Sequence, residues 1–245
     1  MTRGAIVVGA SSGIGEALAR ELSEEGYELG LTARRTEKLK AIGAELPTKS
    51  YVATMDVTDT EDARAGFFEL AEAMESVDLV VANAGIGVVN RDLEWGPEHD
   101  TIETNVSGFV AVVTEALEYF EANPTPEGEP DGHLVGVSSV AAHLGNGAIP
   151  AYNASKAFVS RYLEGLRYRQ AGRDAAVTIT TIEPGYVDTK LTMGEFWKAS
   201  PEKAATQIAR AIRRRERHAY ITRRWRLVAW VVKLLPEFVL RRLFA

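Results

Sequence analysis

The chain has 245 residues, 46% of them hydrophobic and 25% charged, a balance that fits one globular core and excludes a disordered or collagen-like protein. It contains no cysteine, which rules out disulfides, a thiolate nucleophile and cysteine-ligated metals. The formal charge of −6 hides an asymmetry: residues 207–245 hold 11 Lys+Arg against 2 Asp+Glu, while the remainder is net −15. An acidic body argues against nucleic acid as a partner, since phosphate neutralisation needs a basic face.

Met1-Thr2-Arg3 runs straight into an apolar stretch, so no signal peptide is expected and a cytoplasmic location is. Ala5-Ile6-Val7-Val8 reads as a buried strand, with branched side chains bounded by glycines. Gly9-Ala10-Ser11-Ser12-Gly13-Ile14-Gly15 follows, and Glu16–Glu25 then carries apolar residues at helical spacing up to Gly26. A glycine turn between strand and helix lets the backbone approach a ligand. The helix N-terminus offers open N–H groups to an anion, and the pyrophosphate of a dinucleotide suits it. A tight turn without a ligand is the competing reading.

Strand and helix continue to alternate. Strands are expected at Tyr27–Ala33, Ser50–Met55, Asp78–Ala82, His133–Val137, Val177–Ile182 and Ala219–Thr222. Helices are expected at Thr36–Leu46, from Thr58 or Asp59 to Ser76, and at Pro97–Glu121, Ala151–Ala171 and Pro201–Arg217. The polar stretch Asn123–Gly132 has linker composition, but alternation resumes after it. This order predicts an α/β fold: a Rossmann-type, doubly wound parallel sheet of about seven strands, in a single domain over residues 1–222. Ligands of such sheets bind beyond the strand C-termini where the strand order reverses.

The end of the second strand selects the nucleotide. Arg34 and Arg35 lie 19 and 20 residues beyond Gly15, with no acidic residue before Glu37. An acid there would accept from a ribose 2′-OH; arginine instead suits a 2′-phosphate through its planar fork of donors. NADP(H) is therefore the expected cofactor. Tyr152 and Lys156 stand four residues apart on a helix, hence on one face, and a neighbouring ammonium favours a phenolate. Ser138 and Ser139 close the preceding strand. No His/Asp/Glu cluster has metal-ligand spacing, and no catalytic metal is expected. His133 and His99 read as structural, and His143 as either solvated or lining a substrate pocket.

With these elements in order, residues 4–222 resemble a short-chain dehydrogenase/reductase of the common one-domain type. The glycine motif matches Gly9, Gly13 and Gly15, and Asn-Ala-Gly matches Asn83, Ala84 and Gly85, with Ala82 in place of the usual preceding Asn. Asn105 matches the family's helix Asn, and the Ser placed thirteen residues before the Tyr selects Ser139 over Ser138. Tyr152 and Lys156 match the catalytic pair, and Pro184, Gly185, Val187 and Thr189 the element after the sixth strand. The resemblance implies that Tyr152 is the general acid/base, Ser139 a donor to the substrate oxygen, and Lys156 a holder of the nicotinamide ribose that lowers the Tyr152 pKa. Asn105 would position a water leading to Lys156. Asp56 and Val57 would face the adenine, and Val187 and Thr189 the carboxamide. It also implies interconversion of a carbonyl compound, here expected to be a hydrophobic ketone or aldehyde, with its alcohol, in a homodimer or homotetramer. A non-catalytic NADPH-binding protein acting through its tail is the alternative. A sugar-nucleotide epimerase would need a longer C-terminal substrate domain.

Lys190–Ala199 carries Met193, Phe196 and Trp197, which fit either an apolar lid or packing on the body. Residues 223–245 exceed what the nucleotide fold requires. Pro236 should divide them into two helical pieces, and no run is long enough to cross a bilayer. Aromatic residues interleaved with Arg and Lys fit docking on protein, the favoured expectation, or peripheral contact with a membrane.

Overall fold

A computed structural model describes residues 3–124, 132–173, 177–189 and 197–244. Its seven strands are β1 (Arg3–Val8), β2 (Tyr27–Ala33), β3 (Ser50–Thr54), β4 (Leu79–Ala82), β5 (His133–Val137), β6 (Thr178–Pro184) and β7 (His218–Ile221). They form one sheet in the order β3-β2-β1-β4-β5-β6-β7, every pair parallel. The order reverses between β1 and β4, so a crevice opens beyond their C-terminal ends.

Period-two alternation along the strands divides the core. Ala5 and Val7 of β1, with Leu79 and Val81 of β4, face one side, where α1 (Gly13–Glu24) and α7 (Pro201–Arg213) pack. Ile6 and Val8, with Val80 and Ala82, face α3 (Thr60–Ala73), α5 (Gly108–Ala122) and α6 (Pro150–Gln170) on the other. Both faces are covered, which explains why the strands read as continuous apolar runs. Helix α2 (Thr36–Glu45) follows β2 and places Leu39 and Ile42 in the first cluster. Asp59 caps α3 by accepting from the N–H groups of Glu61 and Asp62, and Ser200 caps α7 through Lys203 N–H.

Several expected elements change, and α3 stops at Ala73 rather than Ser76. The helix expected at Pro97–Glu121 is α4 (Trp95–Ile102), a π-helical turn over Glu103–Ser107, and then α5. Helix α7 stops at Arg213 rather than Arg217, followed by Arg215 at φ 49°. Strand β6 extends through Pro184, because Gly185 N–H still donates to Ile221 O. Beyond β7, α8 (Trp225–Leu234) and α9 (Glu237–Phe244) are the two pieces flanking Pro236. Among the described residues, no helix is long and apolar enough to cross a membrane.

Candidate active site

The crevice is a cleft of about 1440 Å³. This exceeds the roughly 300–1,000 Å³ that ordinarily serves a single small ligand, leaving room for a dinucleotide and a second molecule. One end is built from the turn after β1. Gly9 (φ +85°) and Gly13 (φ +59°) hold left-handed backbone that other residues resist. A Cβ on Gly15 would come 2.2 Å from Gly9 O and 2.6 Å from Asn83 Nδ2, so the turn, α1 and the loop after β4 close on one another only with glycine there. Asn83 Nδ2 donates to Gly9 O at 3.1 Å, and its N–H donates to Val8 O. Ala82, where the family usually has Asn, is buried in the core.

Ser11, Ser12 and Ile14 line this end with Arg34, Arg35, Asp56 and Val57. Arg35 Nη2 donates to Ser11 Oγ and Ser12 Oγ, both at 2.8 Å, and Lys38 Nζ reaches Ser11 O at 3.5 Å. Arg34 is mostly exposed and lies 3.9 Å from an Asp56 carboxylate oxygen. Two arginines and a lysine therefore gather where the second strand meets the glycine turn.

The other end holds Tyr152, Lys156, Ser138 and Ser139. Lys156 is buried, and its Nζ donates to Val137 O at 3.0 Å and stands 5.9 Å from the Tyr152 ring centroid. Burial without a carboxylate partner pulls its ammonium down to about 8. Burial pushes the Tyr152 phenol above its usual value, against the opposing effect of a hydrogen bond with Ser139; in the protein alone Lys156 does not overturn this. The phenol thus holds its proton at neutral pH. Ser139 is buried and accepts at Oγ from Ala141 N–H.

Ser138, the neighbour in sequence, points elsewhere. Its Oγ donates to Lys156 O at 2.8 Å and meets Ser160 Oγ. The loop after β4 lies against Tyr152 and Lys156: a Cβ on Gly85 would be 3.2 Å from both Asn105 Oδ1 and Lys156 Nζ, and one on Gly87 would be 2.9 Å from the Tyr152 ring. Asn105 sits in the π-helical turn, a feature frequent at functional sites. Its amide clamps both backbone groups of Ile86 and donates to Ser155 Oγ at 3.0 Å.

Gly185, Val187 and Thr189 close the cleft opposite the glycine turn, where a Cβ on Gly13 would lie 3.0 Å from Thr189 Cγ2. Met193 and Phe196 fall outside the described residues; Trp197 is half-exposed and packs edge-on against Trp225.

Two components of the site carry no local signal in the sequence. The first is Trp225, whose indole covers Gly185 so closely that a Cβ there would meet Nε1 at 2.0 Å. With Val228 and Val232 it makes α8 a wall of the cleft. The second is Glu183, almost fully buried behind Ser138. Its carboxylate lies 2.6 Å from His143 Nε2 and 3.3 Å from His218 Nε2, and it accepts from Ser160 Oγ at 2.9 Å. His143 is therefore neither solvated nor part of the cleft lining. Burial alone would raise this carboxyl, but the two imidazoles outweigh it and hold it at about 2.

A folded-state pKa below the unfolded value of 4.5 adds stability that is present above pH 4.5 and lost as pH falls through 2. Glu183→Gln should remove this dependence and destabilise the protein at neutral pH by roughly 2–4 kcal/mol, read as a flattened acid limb in urea midpoints against pH. An unchanged limb would mean that the carboxylate is not coupled to the imidazoles. His133, by contrast, is held neutral by burial, near 3, and its Nε2 pairs with Thr180 Oγ. Among the described residues, no cluster could hold a metal ion.

The family model for short chain dehydrogenases matches residues 3–199. The chain belongs to that family. An uncharacterised oxidoreductase of Mycobacterium tuberculosis is 38% identical to this short-chain dehydrogenase over 196 residues, covering 76% of this chain and 74% of the other. Serine 3-dehydrogenase of Rhizobium radiobacter is 32% identical over 191 residues, covering 77% and 73%. A short-chain dehydrogenase from Sphingobium yanoikuyae, solved in complex with NADPH, superposes with a TM-score of 0.79 at 20% identity over 94% of this chain and 93% of its own, a likeness of fold. The protein is an oxidoreductase acting on CH–OH groups with a nicotinamide dinucleotide, and the glycine cradle and the size of the cleft fit that group.

Proposed function

We propose that the protein is an NADP(H)-dependent reductase that interconverts a hydrophobic ketone or aldehyde and its alcohol, with Tyr152 as the general acid/base. The observation that carries this reading is the convergence of a half-buried phenol, a Ser139 hydroxyl and a buried ammonium in one cleft. The N–H groups at the start of α1 and the turn from Gly9 to Gly15 would hold the pyrophosphate, and Arg34, Arg35 and Lys38 a 2′-phosphate. Asp56, Val57 and the Asn83-Ala84-Gly85 loop would flank the adenosine half; Pro184, Gly185, Val187 and Thr189 would meet the nicotinamide half.

When bound, the nicotinamide exchanges a hydride with the substrate carbon. Tyr152 Oη gives its proton to the substrate oxygen during reduction and takes it back during oxidation. Ser139 Oγ donates a hydrogen bond to that oxygen as negative charge develops. Lys156, held by Val137 O and displaced toward neutrality by burial, would hold ribose hydroxyls and favour phenolate beside it. Asn105 would hold a water leading from Lys156 to solvent, braced by its bonds to Ile86 and Ser155.

The wall made by Val89, Leu144, Ile149, Trp225, Val228 and Val232 selects an apolar substrate. Following NADPH absorbance across a panel of carbonyl compounds tests the whole reading. Hydrophobic ketones and aldehydes should turn over, with NADH at least about tenfold poorer in kcat/KM. Absence of turnover across the panel would favour a nucleotide-binding protein without catalysis.

A further inference from the structure

We propose that α8 and α9 dock the protein onto an anionic lipid surface, with the wall of the cleft forming one flank of the docking face. The family match ends at residue 199, and both helices lie beyond it. Helix α8 is apolar on two sides. Trp225, Ala229 and Val232 are buried against the body. On the opposite side Leu227, Trp230 and Leu234 are 62%, 61% and 63% exposed, with Val231 beside them, and Phe238 of α9 is 74% exposed.

Successive residues advance about 100° around a helix, which sets Val228 between the buried face and Val231. The exposed stripe is therefore continuous, through Val231, with the side chain that lines the cleft. Arg226 borders its other flank, Arg223 and Arg224 immediately precede the helix and are exposed, and Arg242 is exposed on α9. An exposed aromatic and aliphatic stripe beside arginines matches a helix lying in a headgroup layer.

Charge favours an anionic lipid surface over a two-fold contact of α8 with itself. A two-fold dimer through α8 would set this cationic face against itself. A reciprocal contact between the tail, in the net +9 segment, and the net −15 body of another copy is the competing occupant, and mass in solution reads it below. An anionic bilayer instead attracts the tail and repels the body, which orients the molecule with α8 downward. The docking itself requires no turnover; entry of an apolar substrate from the bilayer along Val231 and Val228 rests on the reductase reading.

Flotation of the full chain with vesicles tests the proposal. The protein should float with equal parts phosphatidylcholine and phosphatidylglycerol, and stay down with phosphatidylcholine alone. Trp230→Ser with Leu234→Ser should weaken flotation by at least about tenfold, and Arg226→Gln by about fivefold. Circular dichroism and turnover of a water-soluble carbonyl compound would show that these exposed-site variants remain folded. Failure of the wild type to float, equal flotation with both vesicle types, or unaltered flotation of the variants would overturn the proposal. So would a larger mass in solution that falls in the Trp230/Leu234 variant while neither protein floats, which would assign the stripe to a second copy. Turnover in solution is read separately, so failure of docking and failure of the reductase reading are distinguishable.

Discussion

Tyr152→Phe should lower kcat/KM for reduction by about 10³-fold, within the 10²–10⁴ that positioned acid–base catalysis contributes. The substitution removes one oxygen and keeps the ring that packs against Gly87, so fold and nucleotide affinity should survive. Burial keeps the phenol protonated past neutrality, which is the form reduction needs. The reductive rate should therefore hold across neutral pH and fall only where the phenol ionises, whereas oxidation, which needs the phenolate, should rise as pH increases. Steady-state rates in both directions, with NADPH binding followed by fluorescence, separate chemistry from binding. A Phe variant that retains the wild-type rate would remove Tyr152 from the chemistry, and one that no longer binds nucleotide would make its role structural.

Arg35→Ala should lower kcat/KM with NADPH by about 10- to 100-fold and leave NADH almost unaffected, since a hydrogen bond to a charged group is worth about 1.5–3 kcal/mol. The guanidinium is already fixed on Ser11 and Ser12, so little side-chain entropy remains to be lost when phosphate binds. Arg34 is held only by a long, exposed ion pair with Asp56; its removal should cost less, and Arg34→Ala with Arg35→Ala should bring the two nucleotides close to parity. If the ratio of NADPH to NADH efficiency stays constant in both variants, the 2′-phosphate is not read by this pair and the cofactor assignment falls.

The alternation of strand and helix and the glycine turn that borders the crevice follow from short windows of sequence. Strand-length apolar runs such as Ala5–Val8, glycines at a tight turn and caps such as Asp59 act over a few residues, so their signal survives without tertiary context. Spacing along a single helix likewise brought Tyr152 and Lys156 to one face. Resemblance to the family singled out Ser139, the one of two adjacent serines that the fold sets beside the phenol, since neighbours at a strand end point in opposite directions.

The sequence by itself determined the alternating α/β layout, the glycine turn and the Tyr-Lys helix, because each is encoded in the periodicity or turn chemistry of one segment. Only the tertiary structure decided that Glu183 gathers His143, His218 and Ser160, and that the π-helical turn aims Asn105 at Ile86 and Ser155. It alone decided which side of α8 is buried. Both sides of that helix are apolar, so periodicity could not choose between them, and the choice rests on Trp225 fitting over the one residue beside it, Gly185, that has no side chain to stand in the way.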